Sequence, residues 1–228
     1  MKIAFVVTSH SSLGDTGKKT GFWIEEFATP YYVLADAGVA ITLFSPKGGQ
    51  PPVDPSSELE SAQTPSSNRF YKDNELIDKM AHTELLSTLR QEDFDGVFYP
   101  GGHGPLWDLA TDKDSIAAIA SFYNHHKPIA FVCHAPAALV NVKVKNGEAL
   151  VKNKEVTGFS NTEEEAVKLT KVVPFLLEDE LKKQGALYTK AADWSSYVKQ
   201  DGLLITGQNP ASSEAVAQLL LKSISDKK

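Results

Sequence analysis

The chain has 228 residues, of which 42% are hydrophobic and 23% charged, and its formal net charge is −6. This composition is typical of a globular protein, and the length suffices for a single large domain over residues 1–228. The acidic balance, with no basic stripe, predicts no nucleic-acid partner, and no apolar run approaches the roughly 20 residues of a membrane span. Cys133 is the only cysteine and cannot form an internal disulfide. With no signal-peptide core at the N-terminus, we expect a cytoplasmic protein.

Short apolar runs and stretches of helical spacing alternate along the chain. The runs predict strands at 2–7, 40–45, 94–99, 128–133, 186–190 and 203–207. The helical spacing predicts helices at 21–37, 73–89, 113–125, 134–143, 162–184 and 211–223. Pro30 should kink or interrupt the first helix, and Pro174 should divide the segment 162–184. We further expect a small hairpin at 149–159 that turns at Asn153.

The alternation of strands and helices predicts one α/β domain, with a mostly parallel sheet covered by helices on both faces. Residues 46–70 do not fit this alternation, because they are rich in proline, glycine and serine and show little periodicity. A structureless connection of this length is uncommon inside a domain. We therefore interpret residues 46–70 as a surface insertion or lid.

Cys133 lies where a strand is predicted to end and a helix to begin. The apolar run that starts at Pro128 stops at Cys133, and Pro136 fits the first turn of a helix. A nucleophile on such a corner is held up by a sharp turn, and a helix N-terminus is expected to lower the pKa of the thiol. A lone cysteine in an apolar strand is also commonly a small core residue. The adjacent His134 favours the catalytic interpretation.

Two further segments should reach the same edge of the sheet, since ligand sites of parallel sheets lie beyond the carboxyl ends of the strands. Gly101–Gly104, with His103 inside it, follows the neighbouring strand and suits either an oxyanion hole or a plain turn. Glu25 and Glu26 point about 100° apart on a helix, so at most one faces the site. Burial would raise the pKa of that carboxyl, which could then donate a hydrogen bond to a thiolate or act as a general base.

Four segments in this order resemble the ThiJ/PfpI superfamily, and within it the heat-shock chaperone and glyoxalase III branch. They are Lys18–Pro30, Pro100–Gly104, Val132–Pro136 and Thr157–Glu164. Each segment is weak evidence alone, but the resemblance covers nearly the whole chain. It implies a flavodoxin-like three-layer sandwich, commonly assembled as a homodimer, that needs neither a cofactor nor a metal.

The resemblance also implies roles for individual residues. Cys133 corresponds to the nucleophile, Glu26 to the carboxylate beside it, and His134 to the histidine of a triad. The acid that orients this histidine falls on Glu164, although two neighbouring glutamates leave that position open: Glu163 and Glu165.

Oxyanion donors or substrate contacts are implied at Gly101, Gly102 and His103, together with the amide of His134. Two departures from the branch bear on this region. Ala135 stands where the branch often has glycine, and the segment 46–70 is a variant of a region that shapes the mouth of the pocket. The size of the substrate is therefore open at this point.

The function that the resemblance implies is a glutathione-independent glyoxalase, which converts a small 2-oxoaldehyde, methylglyoxal, to lactate and so relieves carbonyl stress. The alternatives are a stress-responsive holding chaperone, a protein deglycase, and a cysteine peptidase or amidase. A redox sensor built on Cys133 is a further possibility, since an accessible thiol of low pKa oxidises readily.

Overall fold

The apolar runs of the sequence form the centre of a seven-stranded sheet in the computed structural model, which describes residues 1–226. Its strands in chain order are β1 Lys2–Val6, β2 Ala40–Ser45, β3 Glu84–Leu85, β4 Gly96–Tyr99, β5 Ile129–Val132, β8 Val198–Asp201 and β9 Leu204–Gly207. Two further strands, β6 Glu155–Val156 and β7 Leu187–Tyr188, form a separate parallel pair. The order across the large sheet is β3-β2-β1-β4-β5-β9-β8, and only the β8–β9 pairing is antiparallel.

Helices cover both faces of this sheet, as predicted. They are α1 Ile24–Asp36, α2 Pro65–Phe70, α3 Asn74–Ala81, α4 Lys113–Asn124, α5 Asn161–Ala166, α6 Leu177–Lys183 and α7 Ser213–Ser225. The crossovers β1–α1–β2 and β4–α4–β5 run in opposite directions from the centre of the sheet. Because parallel crossovers are right-handed, α1 and α4 lie on opposite faces, and α7 packs beside α1. The predicted flavodoxin-like three-layer sandwich is confirmed.

The strand order reverses between β1 and β4, and ligands bind at such a switch point in open α/β sheets. The strands there are buried on both faces: every residue of β4 and β5 is buried. Their carboxyl ends lead into the glycine-rich turn and into Cys133. The fold therefore brings the candidate residues to one edge of the sheet.

In the first half of the chain, helix α1 differs from the prediction at two points. It begins at Ile24 rather than at residue 21, because Phe22 is extended and pairs with Val53. The helix also continues through Pro30, so the expected interruption is wrong. Proline lacks the N–H that would bond to the carbonyl four residues earlier, and this leaves the backbone oxygen of Glu26 without that helical partner.

The predicted helix at 73–89 is too long, since α3 ends at Ala81. Thr83 pairs with Gly49, and the next two residues add the edge strand β3 to β2, which takes the backbone out of the helix. The segment 46–70 is more ordered than expected. It contains two 3₁₀ turns and the helix α2, which Thr64 caps in a reciprocal arrangement with Ser67.

Three differences lie in the second half. The helix predicted at 134–143 is a single 3₁₀ turn, Ala135–Leu139, whose residues are all buried. The hairpin expected at 149–159 is also wrong, because β6 pairs in parallel with the distant β7. The edge strand β8 was not predicted, since three of its four residues, Lys199–Asp201, are polar and give no apolar run.

The predicted break near Pro174 is confirmed, since it separates α5 from α6, and the strand predicted at 186–190 is shortened to Leu187–Tyr188. Between residues 1 and 226, no helix combines the length and the apolar character that a membrane crossing requires. The single-domain organisation and the homodimer stay predictions.

Candidate active site

Cys133 occupies a strained turn directly after β5. Its backbone φ is 60°, a left-handed value that non-glycine residues rarely adopt. The surrounding backbone imposes this conformation, because the amide of Cys133 donates to the carbonyl of Gly207 (3.0 Å) and its carbonyl accepts from the amide of Phe159 (2.9 Å). The turn lifts the side chain out of the line of the strand, so the elbow that the sequence predicts is present.

His134 connects the thiol of Cys133 to a carboxylate. Nδ1 of His134 lies 3.3 Å from Sγ of Cys133, and Nε2 lies 2.7 Å from Oε2 of Glu164. The carboxylate can only accept, so Nε2 carries the proton and Nδ1 presents its lone pair to the sulfur. The three side chains therefore have the relationship of nucleophile, base and orienting acid.

Among the three consecutive glutamates that the sequence left open, Glu164 is the one that contacts His134. Glu163 is fully buried but accepts hydrogen bonds from Ser160, Trp194 and Asn209 instead. Glu165 accepts from Thr170 at the surface. Three adjacent positions on a helix point in different directions, which explains why only one of them reaches the histidine.

The protonation states follow from burial and from these contacts. Burial, assisted by the neighbouring His103, lowers the pKa of His134 to about 4, so this imidazole is neutral at physiological pH. Burial alone would raise the pKa of Glu164, but its interactions with His134 and His103, which include a hydrogen bond from each imidazole, overcome this effect and hold the pKa of Glu164 well below its usual range. The site therefore combines a neutral base with an ionised orienting acid.

His103 shares the same carboxylate, which the sequence did not predict. Its Nε2 lies 2.8 Å from Oε1 of Glu164, and its ring centroid is 4.0 Å from that of His134. Residues 61 positions apart in the chain give no local signal for such a contact. The substrate or oxyanion role that the resemblance implies for His103 stays a prediction.

His103, His134 and Glu164 are also of the types that bind metal ions, and their ligand atoms lie within 4.8 Å of one another. A metal at this position would replace the two N–H donors and break the contacts that orient His134. In the structure both imidazoles are hydrogen-bonded to Glu164, and these contacts differ from the ones that a bound metal would require.

Glu26 is the second carboxyl at the sulfur. It lies on the first turn of α1, buried, and its carboxyl meets the thiol of Cys133 and the backbone amides of Gly101 and Gly102. One of its oxygens, Oε2, has no well-formed hydrogen bond. Burial raises the pKa of Glu26 to about 8, the direction that the sequence analysis predicts.

The glycine-rich turn makes room for this carboxyl. A Cβ on Gly101 would overlap with Oε2 of Glu26, and a Cβ on Gly102, whose φ is 91°, would overlap with the backbone of Gly21. The carbonyl of Gly101 also accepts from the amide of Trp23 (3.1 Å), which ties the start of α1 to the turn. In this state the two glycine amides face Glu26, and their role as oxyanion donors stays a prediction.

The expectation of a low thiol pKa is wrong for this structure. Burial raises the pKa of Cys133, and the carboxylate of Glu26 raises it further. The turn that follows the cysteine has five 3₁₀ residues, and so offers far less of a helix dipole than the helix expected there. The resting thiol is therefore protonated at neutral pH.

Comparisons with known proteins show the family to which the chain belongs. The sequence model of the DJ-1/PfpI family matches residues 19–223. Glyoxalase 3 from Candida albicans is 28% identical over 226 residues, which are 96% of each chain. Among solved structures, the crystal structure of glyoxalase III from Candida albicans has a TM-score of 0.91 at 26% identity, over 98% of this chain and 97% of that one.

A third similar protein is the 24 kDa Rapid Encystment Protein of Francisella tularensis. Its X-ray structure has a TM-score of 0.93 at 38% identity and covers 98% of both chains. The family match extends over most of the chain. The chain therefore belongs to the DJ-1/PfpI family, as the resemblance of its four segments indicated.

Proposed function

We propose that this protein is a glutathione-independent glyoxalase that converts methylglyoxal to lactate, a lyase of the lactate dehydratase type, with Cys133 as the nucleophile. The observation that carries the proposal is that two groups able to transfer protons, the imidazole of His134 and the carboxyl of Glu26, contact one sulfur atom. Neutral His134 has Nδ1 3.3 Å from Sγ, and the carboxyl of Glu26 contacts the same thiol. The name of the relative from Candida albicans, Glyoxalase 3, supports the same reaction.

The first step is addition of the thiol to the aldehyde. Sγ of Cys133 forms a bond to the aldehyde carbon, C1, while the thiol proton passes to Nδ1 of His134. Glu164 stabilises the imidazolium that forms, because its carboxylate accepts from Nε2. The proton then moves to the new alkoxide, which gives a hemithioacetal. Backbone amides at Gly102 and His134 would stabilise the alkoxide before it is protonated.

The second step moves hydrogen between the two carbonyl carbons. Ionised Glu26 removes the proton from C1, and the electron pair forms the C1–C2 double bond of an enediolate whose negative charge lies on the C2 oxygen. Nδ1 of neutral His134 relays the C1 hydroxyl proton to this C2 oxygen. Glu26 then returns its proton to C2, the C1 carbonyl forms, and a lactoyl thioester remains on Cys133. A carboxyl with a pKa of about 8 is close to the value that suits both transfers at physiological pH.

Hydrolysis completes the cycle. Neutral His134 takes a proton from water, the hydroxide adds to the thioester carbonyl, and the C–S bond breaks to release lactate and the thiol. Overall one water is consumed, and there is no net oxidation or reduction. Every proton transfer uses Cys133, His134 or Glu26, and this sequence of steps calls for no cofactor.

The holding chaperone is the second candidate, and a specific observation favours it. Several large hydrophobic side chains are exposed, among them Leu59, Val167 and Trp194. Such surfaces can bind partly unfolded proteins. Deglycase or amidase activity would use the same triad but has no further observation of its own. The redox sensor loses its main support, because the thiol is buried and its pKa is raised.

The test is lactate formation from methylglyoxal by the purified protein in the absence of glutathione. We expect the Cys133→Ala variant to lose at least about a thousandfold in kcat/KM, since the covalent route disappears. Circular dichroism of both proteins serves as the control for folding. If Cys133→Ala forms lactate at the wild-type rate, the cysteine mechanism is wrong. If the wild type forms none but both proteins suppress aggregation of a client, the chaperone assignment replaces it.

A further inference from the structure

An open cleft of about 520 Å³ lies beside the N-terminus of α1. We call it the apolar cleft, after the side chains that form most of its lining: Trp23, Leu59, Val167, Trp194, Pro210 and Ala211. Leu59, Val167 and Trp194 are 58%, 38% and 49% exposed. Isolated exposed hydrophobic residues are ordinary, but three large ones around a single cleft indicate a binding surface.

The apolar cleft lies next to the active site, and two short chains of contacts join its lining to the site. On one side, the amide of Trp23 bonds to the carbonyl of Gly101, the residue that packs against Glu26. On the other side, the ring centroid of Trp194 lies 5.7 Å from that of Phe159, which in turn lies 4.2 Å from that of His134. A single residue thus separates each tryptophan of the cleft from a group that takes part in the proposed chemistry: Gly101 lies between Trp23 and Glu26, and Phe159 lies between Trp194 and His134.

Trp194 is held at the rim of the cleft against its own backbone preference. Its φ is 63°, a left-handed conformation that is unfavourable for a bulky residue. Its amide donates to Oε1 of the fully buried Glu163 (2.9 Å), and the same oxygen accepts from Asn209 (2.8 Å). A buried carboxylate therefore fixes the position of a half-exposed indole. An indole that is held in a fixed position while half exposed is typical of a residue that binds a ligand.

The chemistry of the lining restricts what can bind. Beyond the apolar side chains the cleft has the hydroxyls of Ser56, Ser61 and Thr64 and the carboxyl of Glu25, and none of its described lining residues is a lysine, arginine or histidine. Glu25 is already hydrogen-bonded by Thr29 and Thr64. An anionic ligand, such as a phosphorylated aldehyde or a glutathione adduct, would find a carboxyl and no cation. The lining therefore favours a neutral, apolar group.

We propose that the apolar cleft is a subsite of the active site that binds the aryl or long-chain alkyl substituent of a neutral 2-oxoaldehyde. The proposal rests on the glyoxalase function and extends it to the class of substrate. A single methyl group, as in methylglyoxal, is too small to occupy the cleft. Aldehydes such as phenylglyoxal bury their ring there while the two carbonyls lie at Cys133, His134 and Glu26.

The test compares phenylglyoxal with methylglyoxal in the wild type and in a double variant, Leu59→Ser with Val167→Ser. We expect the ratio of kcat/KM for phenylglyoxal to kcat/KM for methylglyoxal to fall about tenfold, mostly through the KM for phenylglyoxal, because apolar contact with the ring is lost. Leu187→Ser is the matched control, since Leu187 is 54% exposed but is not part of the cleft lining. An unchanged ratio in the double variant would overturn the proposal.

Binding of acetophenone, which has the ring but no aldehyde, separates this proposal from the glyoxalase function. If the wild type turns over neither aldehyde, the glyoxalase function fails, and the acetophenone titration alone decides the subsite. Saturable quenching of tryptophan fluorescence that weakens in the double variant supports the cleft as an aryl site, and no quenching in the wild type rejects it. Suppression of client aggregation that the double variant loses, with an unchanged aldehyde ratio, would assign the cleft to unfolded proteins instead.

Discussion

Glu26→Gln is expected to lower kcat/KM for methylglyoxal by about a thousandfold while making the protein more stable. The loss of activity follows from the removal of the base that transfers the C1 proton, a role typically worth 10²- to 10⁴-fold. Glutamine keeps the shape of the side chain and can still accept from the amides near Gly101 and Gly102. The lactate assay measures the first effect, and chemical denaturation measures the second.

The sign of the stability change follows from the pKa of Glu26. Burial raises it from 4.5 to about 8 in the folded state, so the folded protein binds this proton more tightly than the unfolded chain does. The free energy of unfolding therefore falls as pH rises from about 4.5 towards 8. At pH 7 the folded protein holds a proton that the unfolded chain releases, and this difference costs about 3 kcal/mol of stability. Glu26→Gln removes this cost. The variant should gain stability at pH 8 and show little difference from the wild type at pH 4.

The same titration should govern the pH dependence of activity. The scheme needs Glu26 ionised, so kcat/KM is expected to rise with pH through an apparent pKa of about 8 in the wild type. Glu26→Gln should lose this rise. Glu92→Gln is the control for a general charge effect, because it removes an exposed carboxylate that is distant in sequence from Glu26. Its kcat/KM should show the same pH dependence as that of the wild type. A flat wild-type profile between pH 6 and 9 would rule out Glu26 as the base.

The second large effect is expected for Glu164→Gln, which should reduce kcat by about a hundredfold or more and also destabilise the protein. The carboxylate accepts from Nε2 of both His103 and His134, whereas a glutamine amide has only one acceptor oxygen and would point its NH₂ group at one of the two imidazoles. His134 would then lose the hydrogen bond that fixes the orientation of its ring and keeps the proton on Nε2. An unpaired buried donor costs about 1–3 kcal/mol.

The pH dependence of this loss distinguishes Glu164 from Glu26. The folded-state pKa of Glu164 is lowered, so its ionised form contributes stability at neutral pH that is lost only as pH falls below the ordinary carboxyl range. The gap in unfolding free energy between the wild type and Glu164→Gln should therefore narrow in acid. Glu165→Gln is the matched control, because Glu165 contacts Thr170 at the surface. If Glu165→Gln lowered kcat and the free energy of unfolding as much as Glu164→Gln does, Glu164 would have no special role.

The parts of the fold that the sequence predicted are those in which local pattern and tertiary environment agree. Strands such as β1 and β5 are buried on both faces, and an unbroken apolar run is the pattern that such burial produces. The failures occur where distant partners decide the structure. The segment after Cys133 is buried on all sides and forms only one 3₁₀ turn, while β6 pairs with a strand more than 30 residues away.

The site shows the same division. The local pattern of the chain predicts the elbow at Cys133, and the family resemblance predicts Glu26 and Glu164. The exclusion of Glu163 and Glu165, the contact from His103 and the raised pKa of Cys133 depend on which side chains meet in space and on how completely they are buried. Electrostatics of this kind is a property of the assembled site, so no single segment of sequence could reveal it.

The central claim is that Cys133 forms a covalent bond to the aldehyde carbon, and carbon-13 NMR of the Glu26→Gln variant tests it most directly. The variant is mixed with methylglyoxal labelled at C1. Because His134 remains while the C1 base is gone, the hemithioacetal should accumulate and give a protein-bound resonance for an sp³ carbon. The same resonance should be missing when Cys133→Ala is added to the variant. A protein-bound signal that survives Cys133→Ala, or none in either protein while the wild type makes lactate, would contradict the account.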